Sequence, residues 1–162
     1  MIPPKGIEKY YKWFSDFTEK FYSDDEEKNK KIRSRIEHSI EVVKNILSIQ
    51  NSEVENIPRH IKEIAALLHD VGRFHQILYQ DVSSGKHPED HAELGVNLLR
   101  EKLVLDDLPE RDRELILNSI FFHNKKGLHL KSNDTEMIYI TDLLRTADKM
   151  DIVKKDNKNC SL

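Results

Sequence analysis

The chain carries eight histidines, and four of them stand where surface imidazoles are seldom found. His38 lies between Ile36 and Ile40, and His69 directly follows the run AALL. His91 precedes Ala92, Leu94 and Val96, and His123 follows Ile120, Phe121 and Phe122. Each sits on or at the end of a different predicted helix, beside its apolar stripe. An imidazole is costly to bury without a partner. Several buried together near acids call for a common partner, and a metal ion is the usual one. Asp70, beside His69, and Asp148, in the stretch RTADKMD, supply anionic oxygens. A mixed nitrogen and oxygen set suits Mn, Fe, Co, Ni or Zn, with Mg also admissible, and not the thiolate-seeking metals. These six candidates exceed what one tetrahedral site takes. They fit two divalent ions sharing a carboxylate.

Other polar residues flank this set. Arg73 follows the His69–Asp70 pair after Val71 and Gly72. Its guanidinium suits two-pronged contact with a substrate phosphate, or simple pairing with a nearby carboxylate. Asn124 and Lys126, just past His123, are candidate substrate contacts, although Lys125 and Lys126 also read as solvated loop charges. Asp90 is expected to cap a helix rather than bind metal. His60, His75, His87 and His129 read as ordinary surface or partly buried residues. The loop from Gln80 to Pro88, with Lys86 and His87, is expected to border the site mouth. No protein nucleophile is apparent: Cys160 lies within the last three residues, and Ser39 and Ser119 form no recognisable triad.

The elements that must position these residues are helical. Ile7 to Tyr22 brings Tyr10, Trp13, Phe14, Phe17 and Phe21 to three-and-four spacing, which reads as core or as an intermolecular surface. A long helix from about Glu26 to Ile49 follows, with Ser23 or Asp24 as its cap. Pro58 opens a third helix, expected to stop near Gly72, and Phe74 to Tyr79 forms a further short turn. Helices from His91 to about Leu103 and from Pro109 to about His123 come next. KKGLHLKSND is read as a loop. A last helix begins at Thr135 and runs to about Ile152, leaving residues 153–162 as a frayed tail.

Composition narrows the class. The 162 residues suit one domain spanning residues 1–162, hydrophobic residues make up 38% and charged residues 34%. Five glycines and five prolines are too few for an all-β or Rossmann-type chain. The expected fold class is all-α, a bundle of about six to seven helices. A net charge of −3 gives no global case for a nucleic-acid polymer or a membrane as partner. One cysteine, no apolar leader and no bilayer-length apolar run make the cytoplasm the expected compartment. A homo-oligomer is compatible with this composition. A chain that stops so soon after a helical site also fits a fragment.

The ordered pattern H…HD…H…H…D resembles the HD-domain superfamily. AALLHDVGRF is similar to the family's LLHDIGRF, and DHAELGVNLL to its second histidine helix. FFHNKKG is similar to the third histidine site and LLRTADKMD to the closing aspartate. The resemblance covers about residues 33–151. It implies that His38, His69, Asp70 and Asp148 hold one metal, and that His91 and His123 hold a second, with Asp70 bridging. It also implies phosphoester hydrolysis by metal-activated hydroxide, centred on Asp70 and His69, acting on a nucleotide or another small phosphorylated metabolite. Two alternatives stand beside it: a diiron oxygenase using the same ligands, and a metal-stabilised sensing or interaction module without catalysis.

Overall fold

The computed structural model describes residues 6–50, 57–79 and 90–160. These residues form seven α-helices and one short 3₁₀ turn, with no strand among them. The helices are α1 (Glu8–Glu19), α2 (Glu26–Ser48), α3 (Arg59–Leu68), α4 (Val71–Tyr79), α5 (His91–Glu101), α6 (Glu110–Phe122) and α7 (Thr135–Asn159), with the 3₁₀ turn at Leu128–Lys131. The all-α expectation holds. Among the described residues no helix is long and apolar enough to cross a membrane.

The bundle is organised around α3. Ile61, Ile64, Ala65, Ala66, Leu67 and Leu68 are all buried, and so are the charged Lys62 and Glu63, so this helix is enclosed nearly all round. It packs against α1, α2, α6 and α7. The aromatic stripe of the first helix is core: Tyr10, Phe14 and Phe17 are buried, and Phe17 lies edge-on to Phe74 of α4 with ring centroids 5.9 Å apart.

Caps and stops differ from expectation in instructive ways. The cap of α2 is Asp25, not Ser23 or Asp24. It stands directly before the first helical residue, and its side chain accepts from the amides of Glu27 and Lys28, both at 3.1 Å. The third helix ends at Leu68 rather than near Gly72. His69 and Asp70 make a turn, and α4 begins at once, carrying Gly72 inside it. KKGLHLKSND is not wholly irregular, since Leu128–Lys131 forms the 3₁₀ turn and buries His129. The largest correction concerns the tail. Instead of fraying after Ile152, α7 continues to Asn159. Lys154 Nζ donates to Asn45 Oδ1 at 2.9 Å, and Lys155 Nζ lies 2.8 Å from Asp151 Oδ2. These contacts tie the added turns to α2 and to α7 itself. The loop expected from Gln80 to Pro88 lies outside the described residues.

Candidate metal centre

Six elements bring the predicted donors together. His38 projects from the middle of α2 and Asp148 from the middle of α7. His69 caps the C-terminus of α3, Asp70 stands in the turn before α4, His91 opens α5 and His123 caps the end of α6. Long apolar helices fix the first two. A side-chain amide adds to this: Asn45 Nδ2 donates to the Ala147 carbonyl at 3.0 Å, pinning α2 to α7 beside Asp148.

The helix ends are fixed by local devices. A Cβ on Gly72 would lie 2.1 Å from the His91 carbonyl oxygen and 2.9 Å from Gly95 N. Only glycine therefore lets α4 cross α5 this closely, which places His91 against Asp70. Asp90 caps α5, as expected, accepting from Ala92 N at 2.9 Å. Its carboxylate also accepts from Asn124 Nδ2 at 2.7 Å and pairs with Lys125 Nζ at 2.9 Å. It thus joins the start of α5 to the turn after α6. From α7, Arg145 Nη1 donates to the carbonyls of His123 and Lys125, each at 3.0 Å.

Asp70 is the centre of the arrangement. Its Oδ1 lies 3.2 Å from His91 Nε2 and 3.8 Å from His123 Nε2. Its Oδ2 lies 3.7 Å from His38 Nε2 and 3.8 Å from His69 Nε2. Asp148 Oδ1 completes one side, 3.0 Å from His38 Nε2 and 3.8 Å from His69 Nε2. Three sets of donors could each hold a metal ion, their ligand atoms lying within 4.8 Å of one another: His38, His69 and Asp70; His69, His123 and Asp148; Asp70, His91 and His123.

The residues fit such ions on two further counts. His69 Nε2 is buried with no hydrogen-bond partner, an orphaned acceptor of the kind that a cation satisfies. The rings are also committed on their far sides. His69 Nδ1 donates to the Ala66 carbonyl at 2.7 Å, and His123 Nδ1 to the Ile120 carbonyl at 2.6 Å. This fixes the tautomer with the Nε2 lone pair turned inward.

Electrostatics follow from the crowding. Burial works against a charge on Asp70, but the imidazoles of His69, His91 and His123 outweigh it and hold the carboxyl well below its ordinary value of 3.8. Burial likewise opposes a charge on His38. Hydrogen bonds with Asp148 and Asp151 reverse the balance and raise this imidazole above 6.5. For His123, burial and the neighbouring His69 push the value down to about 4.

A cleft of about 290 Å³ opens over the centre. Arg73 lines it, with Nε 3.7 Å from Asp70 Oδ1 and Nη1 donating to Gln76 Oε1 at 3.4 Å. Asn124 lines it too, although its amide is given to Asp90. Lys126 is exposed and is not part of the cleft wall. Among the remaining histidines, His60 faces Asp112 at 3.4 Å and His75 packs beside Phe17 and Phe21. His129, read as a surface or partly buried residue, is 2% exposed and bonded to Asp142 at 2.6 Å.

Three residues around the centre carried no signal that sequence reasoning used. Arg35 lines the cleft with Nη1 3.5 Å from Asp70 Oδ2. Arg145 braces the His123 turn. Asp151 meets the outer nitrogen of His38 at 2.6 Å. Helical spacing was the available clue: Arg35 is three residues before His38, while Arg145 and Asp151 are three before and three after Asp148, on the same helix faces.

Comparison with protein families matches the HD domain model over residues 35–155. No match is found among curated proteins or solved structures.

Proposed function

This chain belongs to the HD-domain family, whose members are generally metal-dependent hydrolases, and on that premise we propose that it hydrolyses a phosphoester of a nucleotide or small phosphorylated metabolite. The observation that carries the reading is the double-faced position of Asp70. One carboxylate oxygen faces His91 and His123, and the other faces His38 and His69. A single bridging carboxylate between two imidazole pairs is the donor pattern of a binuclear site.

In this reading His38, His69, Asp70 and Asp148 hold one divalent ion, and His91, His123 and Asp70 hold the other. Such ions, when bound, polarise a phosphoryl oxygen and acidify water near neutral pH. The chain supplies the rest. Asp70 and Asp148 are held ionised, ready to accept cations without first losing a proton. Arg35 and Arg73 stand on either side of Asp70 at the cleft wall, where a phosphate entering the cleft meets two guanidiniums. A cleft of about 290 Å³ suits a small phosphorylated molecule. In this reading water, acidified by such ions, is the attacking group.

The test is a panel of phosphomonoesters and phosphodiesters assayed with Mn²⁺, Co²⁺ or Ni²⁺ after chelator stripping. The expected result is metal-dependent phosphate release from at least one of them, abolished by chelator. Metal binding with no turnover of any ester would favour a sensing module instead. Oxygen consumption by iron-loaded protein without phosphate release would replace hydrolysis by oxygenase chemistry.

A further inference from the structure

One buried carboxylate touches the centre without reaching its middle. Asp151 is 3% exposed, and its Oδ2 lies 2.6 Å from His38 Nδ1, the nitrogen opposite the one that faces Asp70 and Asp148. The same oxygen receives Lys155 Nζ at 2.8 Å. Asp148, Asp151 and Lys155 recur at three and four residues along α7, so they share one helix face. One helix therefore grips the His38 ring at both nitrogens.

This contact sets His38 apart. His69 and His123 give their outer N–H to main-chain carbonyls, whereas His38 meets a carboxylate. A carboxylate carries a full charge where a carbonyl carries a partial one. It orients the ring more firmly and draws more proton density off it, which makes the far nitrogen a stronger donor.

We propose that Asp151 is a positioning residue of the centre, one that fixes His38 with its Nε2 lone pair toward the cation and so sets the affinity of the half built from His38, His69, Asp70 and Asp148. Lys155 moderates this effect, because its ammonium shares the Asp151 oxygen that His38 uses. The proposal rests on the reading that this centre binds divalent metal, and the experiment separates the two.

The full chain is stripped with chelator and titrated with Zn²⁺ alone by calorimetry against a competing chelator, alongside Asp151→Asn and Lys155→Met. Asp151→Asn is expected to weaken the tighter binding step by about 10–100-fold. Lys155→Met, which frees the oxygen for His38, is expected to leave that step unchanged or tighter. If Asp151 served only as the i,i+4 partner of Lys155 on α7, both variants would lower the melting temperature of the metal-free chain alike. Both would also bind Zn²⁺ as the unaltered chain does, and that result overturns the proposal. Failure of the unaltered chain to bind Zn²⁺ would overturn the metal-centre reading and this inference with it. Should Asp151→Asn not fold, ¹⁵N NMR of the unaltered, Zn²⁺-loaded chain decides. A His38 ring ligated through Nε2 with a slowly exchanging Nδ1–H supports the role. Ligation through Nδ1, or rapid exchange there, refutes it.

Discussion

Asp70 divides the centre into two halves, and the chain builds them by different means. The half with His38 and Asp148 rests on the interiors of α2 and α7, helices of 23 and 25 residues. Hydrogen bonds on both sides of such a position leave its backbone no freedom. The half with His91 and His123 rests on the first residue of α5 and the residue capping α6. Helix ends fray unless tied. There the Gly72–His91 contact, the Asp90 carboxylate and the Arg145 guanidinium do the tying. Charge differs as well. The first half has Asp148 close at hand, 3.0 Å from His38, besides a share of Asp70, while the second has the share and lies farther from Asp148. Equal imidazoles thus give unequal sites, and a first metal is expected to enter the His38 half before a second enters the other.

The sharpest way to break this comparison is to remove what the halves have in common. Asp70→Ala is expected to lower metal-dependent phosphate release by on the order of a thousandfold, each tenfold corresponding to about 1.4 kcal/mol of barrier, while far-UV circular dichroism stays helical. Undiminished activity would end the idea of a bridging carboxylate. Next in size is the contrast between the halves. His91→Ala should lower metal content from two ions to one by elemental analysis, whereas His38→Ala should weaken the tighter step. Unchanged stoichiometry in His91→Ala would argue for a single metal.

A smaller effect tests how the second half is placed. Gly72→Ala puts a methyl into backbone that cannot yield without moving α4 from α5. It should destabilise the chain by about 1–3 kcal/mol and reduce occupancy of the His91 half more than the other. A melting curve identical to that of the unaltered chain would show that the crossing has room for a methyl group.

The smallest effect is a pH contrast in metal-free protein. His38 lies above its ordinary 6.5. Its contribution to stability is therefore complete below 6.5 and lost as pH rises through its folded value. His123 is depressed to about 4. The fold therefore loses stability as pH falls from 6.5 toward 4, where an unfolded ring takes a proton that the buried one refuses. Imidazole NMR titration in chelator should show His38 titrating above His123. Coincident titration near 6.5 would remove this distinction between the halves.

Much of this was readable along the chain, for identifiable reasons. Apolar residues at helical spacing announced α2, α5 and α6 to within a few residues, because amphipathic periodicity is a local property. The six candidate donors that the structure brings together were also readable, since an imidazole or carboxylate set in an apolar stripe is conspicuous wherever it occurs. Gly72 was misread as a stop, because glycine ends helices in most settings and only the neighbouring helix shows why it is needed in this one. The reach of α7 past Ile152 was hidden, because KKDNKN is a poor helix by composition and is held by Asn45 and Asp151. Asn124 and Lys126 looked alike as polar residues after His123. Folding turns one toward Asp90 at the cleft and leaves the other in solvent.

By itself the sequence determined the helical class, the family and the set of candidate donors, since these depend on residue type and short-range spacing. The tertiary structure alone decided which Asp70 oxygen faces which imidazoles, that Asp151 backs His38, and that Arg35 and Arg73 share the cleft wall. Those pairings join residues such as His38 and Asp151, 113 positions apart. Such distances are closed by packing of whole helices, and no local pattern encodes the angle at which two helices meet.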